Sequence, residues 1–315
     1  MSGRTNLDWN AVFLLIRPLN LLFIGVTQYL LLFHYLFPIL RTAGAPVLLE
    51  GWRAFVFLLT TTAMTGAGYA INDLYDVETD RINKPGKWLV GKRISHRAAV
   101  VITVMLLLSG GILAVWLAID IQRPVFWLIY PAGCFVLWAY SRYLKGIPLA
   151  GNILVAVLCS LVGGIVWFAE REGIGMLWEK EPQLALRMLR GLGFYLFFAF
   201  LSTLFREIVK DCEDLHGDAA ASHRTLPVRL GLRQARLWGL GAGLVLEAGL
   251  AFITLYFLRN HNPWGAAFSI FLLAVPLAAG LVPLTRATAP EHFRKVSRIA
   301  KWVIFAGVFL ILFLP

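Results

Sequence analysis

Ala98-Ala-Val-Val-Ile-Thr-Val-Met-Leu-Leu-Leu-Ser-Gly-Gly-Ile-Leu-Ala-Val-Trp-Leu-Ala-Ile119 runs for 22 residues without a charge. A helix needs about 20 apolar residues to cross a bilayer, so this stretch reads as a span. The rest of the chain repeats the pattern. Apolar segments run roughly over 11–40, 54–71, 98–119, 125–141, 149–169, 191–205, 236–258, 264–284 and 297–314. None shows the two-residue alternation of a lipid-facing barrel strand. Only helices and closed barrels satisfy their backbone in lipid, so the expected fold is all-α and integral to the membrane, with nine helices.

Composition agrees. Of 315 residues, 59% are hydrophobic and 15% are charged. A soluble domain carries about 25% charged residues. Disordered, collagen-like and disulfide-stapled classes are excluded by the same figures. The N-terminal apolar stretch from Ala11 to about Leu40 is too long for the core of a signal peptide. Cys134, Cys159 and Cys212 lack metal or redox spacing. The net charge of +11 would suggest nucleic acid in a soluble protein. Here it reports loop bias and anionic lipid instead, and no nucleic-acid partner is expected. With the N-terminus inside, 21 of the 29 Lys and Arg residues fall in inside segments. That satisfies the positive-inside rule. It predicts a multi-pass protein of the cell inner membrane, with a cytoplasmic N-terminus and site and an outside C-terminus.

Two inside loops carry the chemistry. The first reads Asn72-Asp73-Leu74-Tyr75-Asp76-Val77-Glu78-Thr79-Asp80-Arg81-Ile82-Asn83-Lys84-Pro85. The second reads Arg206-Glu207-Ile208-Val209-Lys210-Asp211-Cys212-Glu213-Asp214-Leu215-His216-Gly217-Asp218. Asp73, Asp76 and Asp80 share the spacing D-x-x-D-x-x-x-D with Asp211, Asp214 and Asp218. Each set closes an even-numbered span. The chain thus reads as one domain over 1–315, with degenerate repeats of four spans at about 11–145 and 149–284. A ninth helix follows at 297–314.

Steps of three and four place side chains on one helix face, so each set forms an acidic stripe. Like charges so placed repel unless something positive lies between them. Acids at a membrane surface are often only solvated helix ends. Two matched stripes on one side, in a chain with 18 acids, point further. Hard cations take oxygen ligands, and Mg²⁺ commonly binds one or two carboxylates plus substrate phosphates. Two facing stripes suit a diphosphate held through Mg²⁺. Arg81, Lys84, Arg142, Lys145, Lys210 and Arg224 are candidates to contact its oxygens. Neither window has the glycine-centred loop of a calcium hand. A diphosphate beside an apolar interior implies a lipid substrate. If that lipid is an allylic isoprenoid, loss of diphosphate leaves a delocalised carbocation for an acceptor to attack. A cation-coupled transporter is the reading from another class. Transporter sites lie near the midplane on broken helices, whereas these acids close spans at the cytoplasmic side.

The chain resembles the UbiA superfamily of intramembrane prenyltransferases. Asn72, Asp73, Asp76 and Asp80 fit its N-D-x-x-D-x-x-x-D, and Asp211, Asp214 and Asp218 fit its second motif. Arg17-Pro18-Leu19-Asn20, Asn83-Lys84-Pro85, Val90-Gly91-Lys92-Arg93-Ile94-Ser95 and Arg224-Thr225-Leu226-Pro227 continue the likeness across the chain. The resemblance implies nine helices around a central cavity and Mg²⁺-dependent transfer of a prenyl group from its diphosphate. It assigns Mg²⁺–diphosphate to Asn72, Asp76, Asp80, Asp214 and Asp218, with Asp73 and Asp211 as helpers. Many members carry K-P-x-R-P, where this chain has Lys84-Pro85-Gly86-Lys87-Trp88. Lys87 is a point charge, not a planar fork. Tyr140-Ser141-Arg142-Tyr143-Leu144-Lys145, Gly151-Asn152 and Arg206-Glu207-Ile208-Val209-Lys210-Asp211 resemble the digeranylgeranylglyceryl phosphate synthase branch. That branch implies a geranylgeranyl donor and the hydroxyl of a glyceryl-phosphate lipid as acceptor. Arg142, Lys145 and Arg206 would meet the acceptor phosphate. Aromatic acceptors, as in quinone or haem synthesis, stay open.

Asn20 and Asn152 are expected to line the cavity, and Tyr140 its mouth, where an aromatic belt is the competing reading. Gln28 reads as structural. His216 and His223 read as solvated loop residues. Glu247 is an acid inside a late span with no partner evident in the sequence.

Overall fold

The computed structural model describes residues 8–83 and 85–314. Its elements are helices: α1 (Trp9–Ile16), α2 (Pro18–Thr42), α3 (Trp52–Tyr75), α4 (Val77–Asn83), α5 (His96–Asp120), α6 (Val125–Ala139), α7 (Ala150–Ala169), α8 (Arg171–Lys180), α9 (Pro182–Ala220), α10 (Leu226–Leu230), α11 (Leu232–Arg259), α12 (Pro263–Leu284) and α13 (Pro290–Phe313). No β-strand occurs among the described residues; one isolated bridge joins Val90 and Ile94. Eight of the helices, namely α2, α3, α5, α7, α9, α11, α12 and α13, are long and apolar enough to cross a membrane. The apolar run expected at 125–141 forms the 15-residue α6, continued by a π-turn at Tyr140–Leu144.

Ion pairs mark the two ends of the bundle. At one end Arg53 Nε meets Asp120 Oδ2 at 2.7 Å, joining the start of α3 to the end of α5. There too Arg123 Nη2 meets Glu172 Oε2 at 2.6 Å, tying the start of α6 to α8. At the other end Lys145, just beyond α6, pairs with Asp76 at the end of α3. The stretch from Arg123 to Lys145 therefore runs from one end to the other.

The buried apolar residues form two main cores. Leu31, Leu36, Phe57, Leu117, Leu177 and Met188 belong to the first. Phe205, Leu246, Phe257, Leu277, Phe293 and Val303 belong to the second. α9 contributes to both, with Met188 in one and Phe205 in the other. It begins with Pro182 at its first turn, where a missing N–H does no harm. Its 39 residues span about 58 Å at 1.5 Å per residue, against a hydrocarbon core of about 30 Å. The surplus carries the second acidic motif. That motif is therefore not on a loop, as the charged run suggested. It continues the sixth apolar segment as unbroken helix, because intrahelical hydrogen bonds persist to Ala220.

The first motif departs from expectation in the opposite sense. It does not form one continuous stripe. The helix stops at Asp76 (φ −89°, ψ 5°), and α4 starts afresh at Val77. Beyond α4, Gly86 and Gly91 take left-handed φ of 74° and 87°, turning the chain back so that Val90 and Ile94 pack on Ala11, Leu15 and Ala70. Ser95 Oγ then accepts the Ala98 N–H at 3.2 Å and opens α5.

At the opposite end Glu170, 1% exposed, closes the α2–α3 connection. Its two carboxylate oxygens accept the N–H groups of Leu48 (2.9 Å) and Leu49 (2.8 Å). Burial pushes this carboxyl above its ordinary range, against the pull of the two donors. Glu170→Ala leaves two backbone donors unmet, at a cost of about 2 kcal/mol or more. A lowered melting temperature in detergent is expected; an unchanged one would show that the connection does not depend on this carboxylate.

Candidate functional site

Nearly all the polar residues singled out in the sequence gather at the Lys145 end of the bundle. Arg17 stands between α1 and α2 with a left-handed φ of 53°, a conformation costly for a non-glycine residue. Its guanidinium is held from two sides. Nη2 donates to Asp73 Oδ1 at 2.6 Å, and the group lies 4.8 Å from the centre of the Tyr69 ring. Asn20, one turn along α2, reaches the Tyr69 hydroxyl only at 3.5 Å.

Asp73 and Asp76 are 8% and 7% exposed, so each needs compensating donors. Asn72 Nδ2 donates to Asp76 Oδ2 at 2.6 Å. Lys145 Nζ donates to that same oxygen and to Asn72 Oδ1, the latter at 3.3 Å. Asp80 follows one turn after Asp76 on α4, its N–H bonded to the Asp76 carbonyl at 2.8 Å.

The second motif presents its acids from α9. Asn152, at the start of α7 and buried, donates from Nδ2 to Asp211 Oδ2 at 2.9 Å. Asp218 Oδ2 accepts from Thr225 Oγ1 at 3.2 Å, and its Oδ1 lies 3.7 Å from His223 Nδ1. Arg206 donates to Glu207 Oε1 at 2.6 Å. Tyr140 sits within electrostatic range of Asp76, Glu207 and Asp211, between the two motifs. Glu207 in turn lies within range of Arg17, Lys145, Arg206 and Lys210.

Asn83 joins the halves directly. Asn83, closing α4, accepts the Gly217 N–H on Oδ1 at 3.0 Å and donates toward the Asp214 carbonyl at 3.4 Å. A Cβ on Gly217 would fall 2.3 Å from the Asn83 side chain, so a larger residue there would push Asn83 out of this contact. Beside Asp214 opens a cavity of about 250 Å³ lined by Arg206, Lys210 and residues of α13.

Other expected residues stand outside this hydrogen-bonded group. Arg142 is exposed and lies over the rings of Tyr75 (5.9 Å) and Tyr143 (5.5 Å). Arg224 is exposed and contributes its backbone N–H to the Gly146 carbonyl at 3.0 Å. His216 is exposed, as expected for a solvated residue. Lys84 lies outside the described residues. Gln28 bridges Thr61 Oγ1 and the Val162 carbonyl, both at 3.2 Å, which is interhelical glue. Glu247 lies on α11, and its Oε1 is buried without a hydrogen-bond partner among the described residues.

Comparison with known proteins follows the same lines. The model of the UbiA prenyltransferase family matches residues 30–310. The chain belongs to the UbiA prenyltransferase family. A digeranylgeranylglyceryl phosphate synthase of Methanothermobacter thermautotrophicus is 32% identical over 271 residues, covering 82% of this chain and 87% of that one. The synthase of Methanospirillum hungatei is 29% identical over 95% of both. A solved structure described as a digeranylgeranylglyceryl phosphate synthase in membranes superposes with a TM-score of 0.59 at 20% identity, over 96% of this chain and 98% of the other. A UbiA homolog from Archaeoglobus fulgidus, bound to GPP and Mg²⁺, gives 0.52 at 16% identity, over 96% and 99%. Membership makes the protein a prenyltransferase and removes the transporter reading.

The donors in this UbiA prenyltransferase suit a hard divalent cation: six aspartates and the amide oxygen of Asn72. Among the described residues no three His, Cys, Asp or Glu side chains converge closely enough to hold an ion by themselves. That fits Mg²⁺ shared with substrate phosphates better than an all-protein cage. Sequence reasoning left Arg17, Tyr69, Asn83 and Glu207 out of the site. Their signals were the Arg17-Pro18 opening and the charged neighbours in each motif, but partners 49 to 134 residues away are not written in local spacing.

Gly217→Ala should separate α4 from α9 and lower turnover by about a hundredfold, the effect of a displacement near 1 Å. Asn83→Ala should act in the same direction but more weakly. Initial rates at saturating substrate check this, with unchanged helical content by circular dichroism. Full activity in Gly217→Ala would show that the two motifs need no fixed contact.

Proposed function

We propose that this prenyltransferase moves a geranylgeranyl group from its diphosphate to a hydroxyl of a glyceryl-phosphate lipid. One observation carries the reading: two aspartate motifs meet at one end of an apolar bundle, with Lys145 and Lys210 beside them. The likeness to digeranylgeranylglyceryl phosphate synthases supports the acceptor class.

Asp76, Asp80, Asp214 and Asp218, with Asn72, would hold Mg²⁺ and through it the diphosphate, while Asp73 and Asp211 would steady that set. When bound, Mg²⁺ neutralises charge growing on the departing diphosphate. Lys145 already bridges Asn72 and Asp76, so its ammonium is placed to meet a phosphate oxygen. Arg17 fixes Asp73, and Asn152 fixes Asp211, in orientation. Lys84, Arg142 and Arg224 are the further cations for the phosphates, with Tyr140 and Asn20 at the mouth and wall of the cavity. In the reaction the C1–oxygen bond breaks with its electrons going to diphosphate, the acceptor oxygen bonds to C1, and the hydroxyl proton passes to the departing diphosphate or to water at the cytoplasmic end. The apolar helices keep water from the allylic cation.

The same reading completes the topology. The stretch from α6 to Leu144 counts as a span, which makes nine around a central cavity, built as two sets of four and one. The chain is one domain in the cell inner membrane, with N-terminus and site cytoplasmic and C-terminus outside. Arg123 and Lys145 at opposite ends of the bundle support this count.

The test uses purified protein with Mg²⁺ and radiolabelled geranylgeranyl diphosphate. Geranylgeranylglyceryl phosphate and 4-hydroxybenzoate are offered in parallel, with an EDTA control. Label on the glyceryl lipid, abolished by EDTA, is expected. Asp76→Ala and Asp214→Ala should each lose at least about a hundredfold in rate, the order seen when a charge-stabilising group is removed. Label on the aromatic acid alone would sink the acceptor assignment; transfer undiminished in EDTA would sink the metal.

A further inference from the structure

The cavity beside Asp214 is lined mainly by cations. Arg206 and Lys210 come from α9, and Arg294, Arg298 and Lys301 come from α13. Two carboxylates, Glu213 and Asp214, share the lining. Glu213 is engaged by Arg294 at 2.8 Å. Arg206 spends Nη1 on Glu207, and its Nε is buried with no hydrogen-bond partner among the described residues. Arg298 and Lys301 make no ion pair among the described residues. Cations gathered at the end of an apolar bundle repel one another, and a buried guanidinium N–H without an acceptor is costly. An anion in the cavity would relieve the repulsion among these cations.

Geometry connects this cavity to the site. On α9, Arg206, Lys210 and Asp214 follow at steps of four and share one face, whereas Asp211, Asp214 and Asp218 form the acidic stripe. Asp214 belongs to both. An anion between Lys210 and α13 thus sits next to the proposed diphosphate site without occupying it. The cavity also has an apolar neighbour. Lys301 Nζ lies 5.1 Å from the centre of the Phe305 ring, and Phe305 stacks on Phe23 of α2 at 4.1 Å. The ligand that fits is a phosphate with a hydrocarbon tail.

We propose that this cavity binds the phosphate monoester of the acceptor lipid, and that Arg298 and Lys301 are acceptor-specificity residues. The inference rests on the proposed function above. In a glyceryl phosphate the free hydroxyl is only a few bonds from phosphorus. Phosphate seated on Arg206, Lys210, Arg298 and Lys301 therefore brings that hydroxyl up to Asp214, where C1 of the donor is held. A phosphate monoester brings two negative charges to this cation excess, where 4-hydroxybenzoate brings one.

The test compares wild type with Arg298→Gln and Lys301→Gln, with Lys295→Gln as control, an exposed cation of the same helix outside the cavity. All are assayed in zwitterionic nanodiscs, with geranylgeranylglyceryl phosphate and with its dephosphorylated counterpart. Loss of one charged contact should raise KM for the phosphorylated acceptor about tenfold or more. KM for the prenyl diphosphate, the melting temperature and the Lys295→Gln variant should stay at wild-type values. The wild-type preference for the phosphorylated acceptor should shrink by the same factor. Unchanged acceptor KM, an equal rise for both acceptors, or a rise in KM for the prenyl diphosphate would each overturn the assignment. So would an effect appearing only when phosphatidylglycerol is added, which would make the cavity a bilayer headgroup site. If wild type transfers to neither glyceryl lipid, the proposed function falls. The cavity is then judged by equilibrium binding of geranylgeranylglyceryl phosphate: saturable binding weakened by Arg298→Gln sustains it, and no binding overturns it.

Discussion

Asp73, Asp76 and Asp218 are almost withdrawn from water, and a buried carboxylate must find cations or donors nearby. Much of the arrangement at this end of the bundle answers that need. Arg17 accepts a strained backbone in order to reach Asp73. Lys145 and Asn72 close on Asp76. Thr225 covers Asp218, and Asn152 covers Asp211. Arg17 ties the start of α2 to α3, Lys145 ties the chain after α6 to the end of α3, and Asn152 ties α7 to α9. Among these partners, Lys145 is the cation proposed to meet the diphosphate. A site built this way is held in shape before substrate arrives, which is the condition for electrostatic catalysis.

The length of α9 is the second constraint. A helix about twice as long as the hydrocarbon core is thick can serve as a wall of both apolar cores and still extend beyond them. Its C-terminal turns carry Asp211, Asp214 and Asp218 as rigid helix rather than as loop. Rigid elements hold functional groups more accurately than loops do. The first motif is built differently. Its helix stops at Asp76, so Asp80 starts from a new axis, and Asn83 can dock on Gly217. One motif is straight and the other bent, and the bend lets them meet.

Charge is distributed unevenly around the meeting point. Acids face the junction of α3, α4 and α9, while cations of α9 and α13 face the neighbouring cavity. Asp214 stands on the border. Adjacent regions of opposite sign suit a reaction with two anionic substrates. In the proposed reaction one would be held through a metal by carboxylates and the other directly by guanidinium and ammonium groups.

The sequence by itself determined the fold class, because uncharged stretches such as 98–119 have no other stable home. It also determined the two aspartate motifs, since their spacing is local. It did not show that Asp76 ends a helix or that the second motif continues one. Both depend on what packs around them, and propensity is a weak guide there. Only the tertiary structure decided that Asn152 serves Asp211, that Lys145 serves Asp76, and that Asn83 meets Gly217 across 134 residues. The basic side of the cavity was hidden for the same reason. Arg294, Arg298 and Lys301 read as ordinary positive-inside residues until α13 is laid against α9. Spacing along one helix fixes which side chains share a face, but which face meets which is settled by burying apolar surface over the whole bundle.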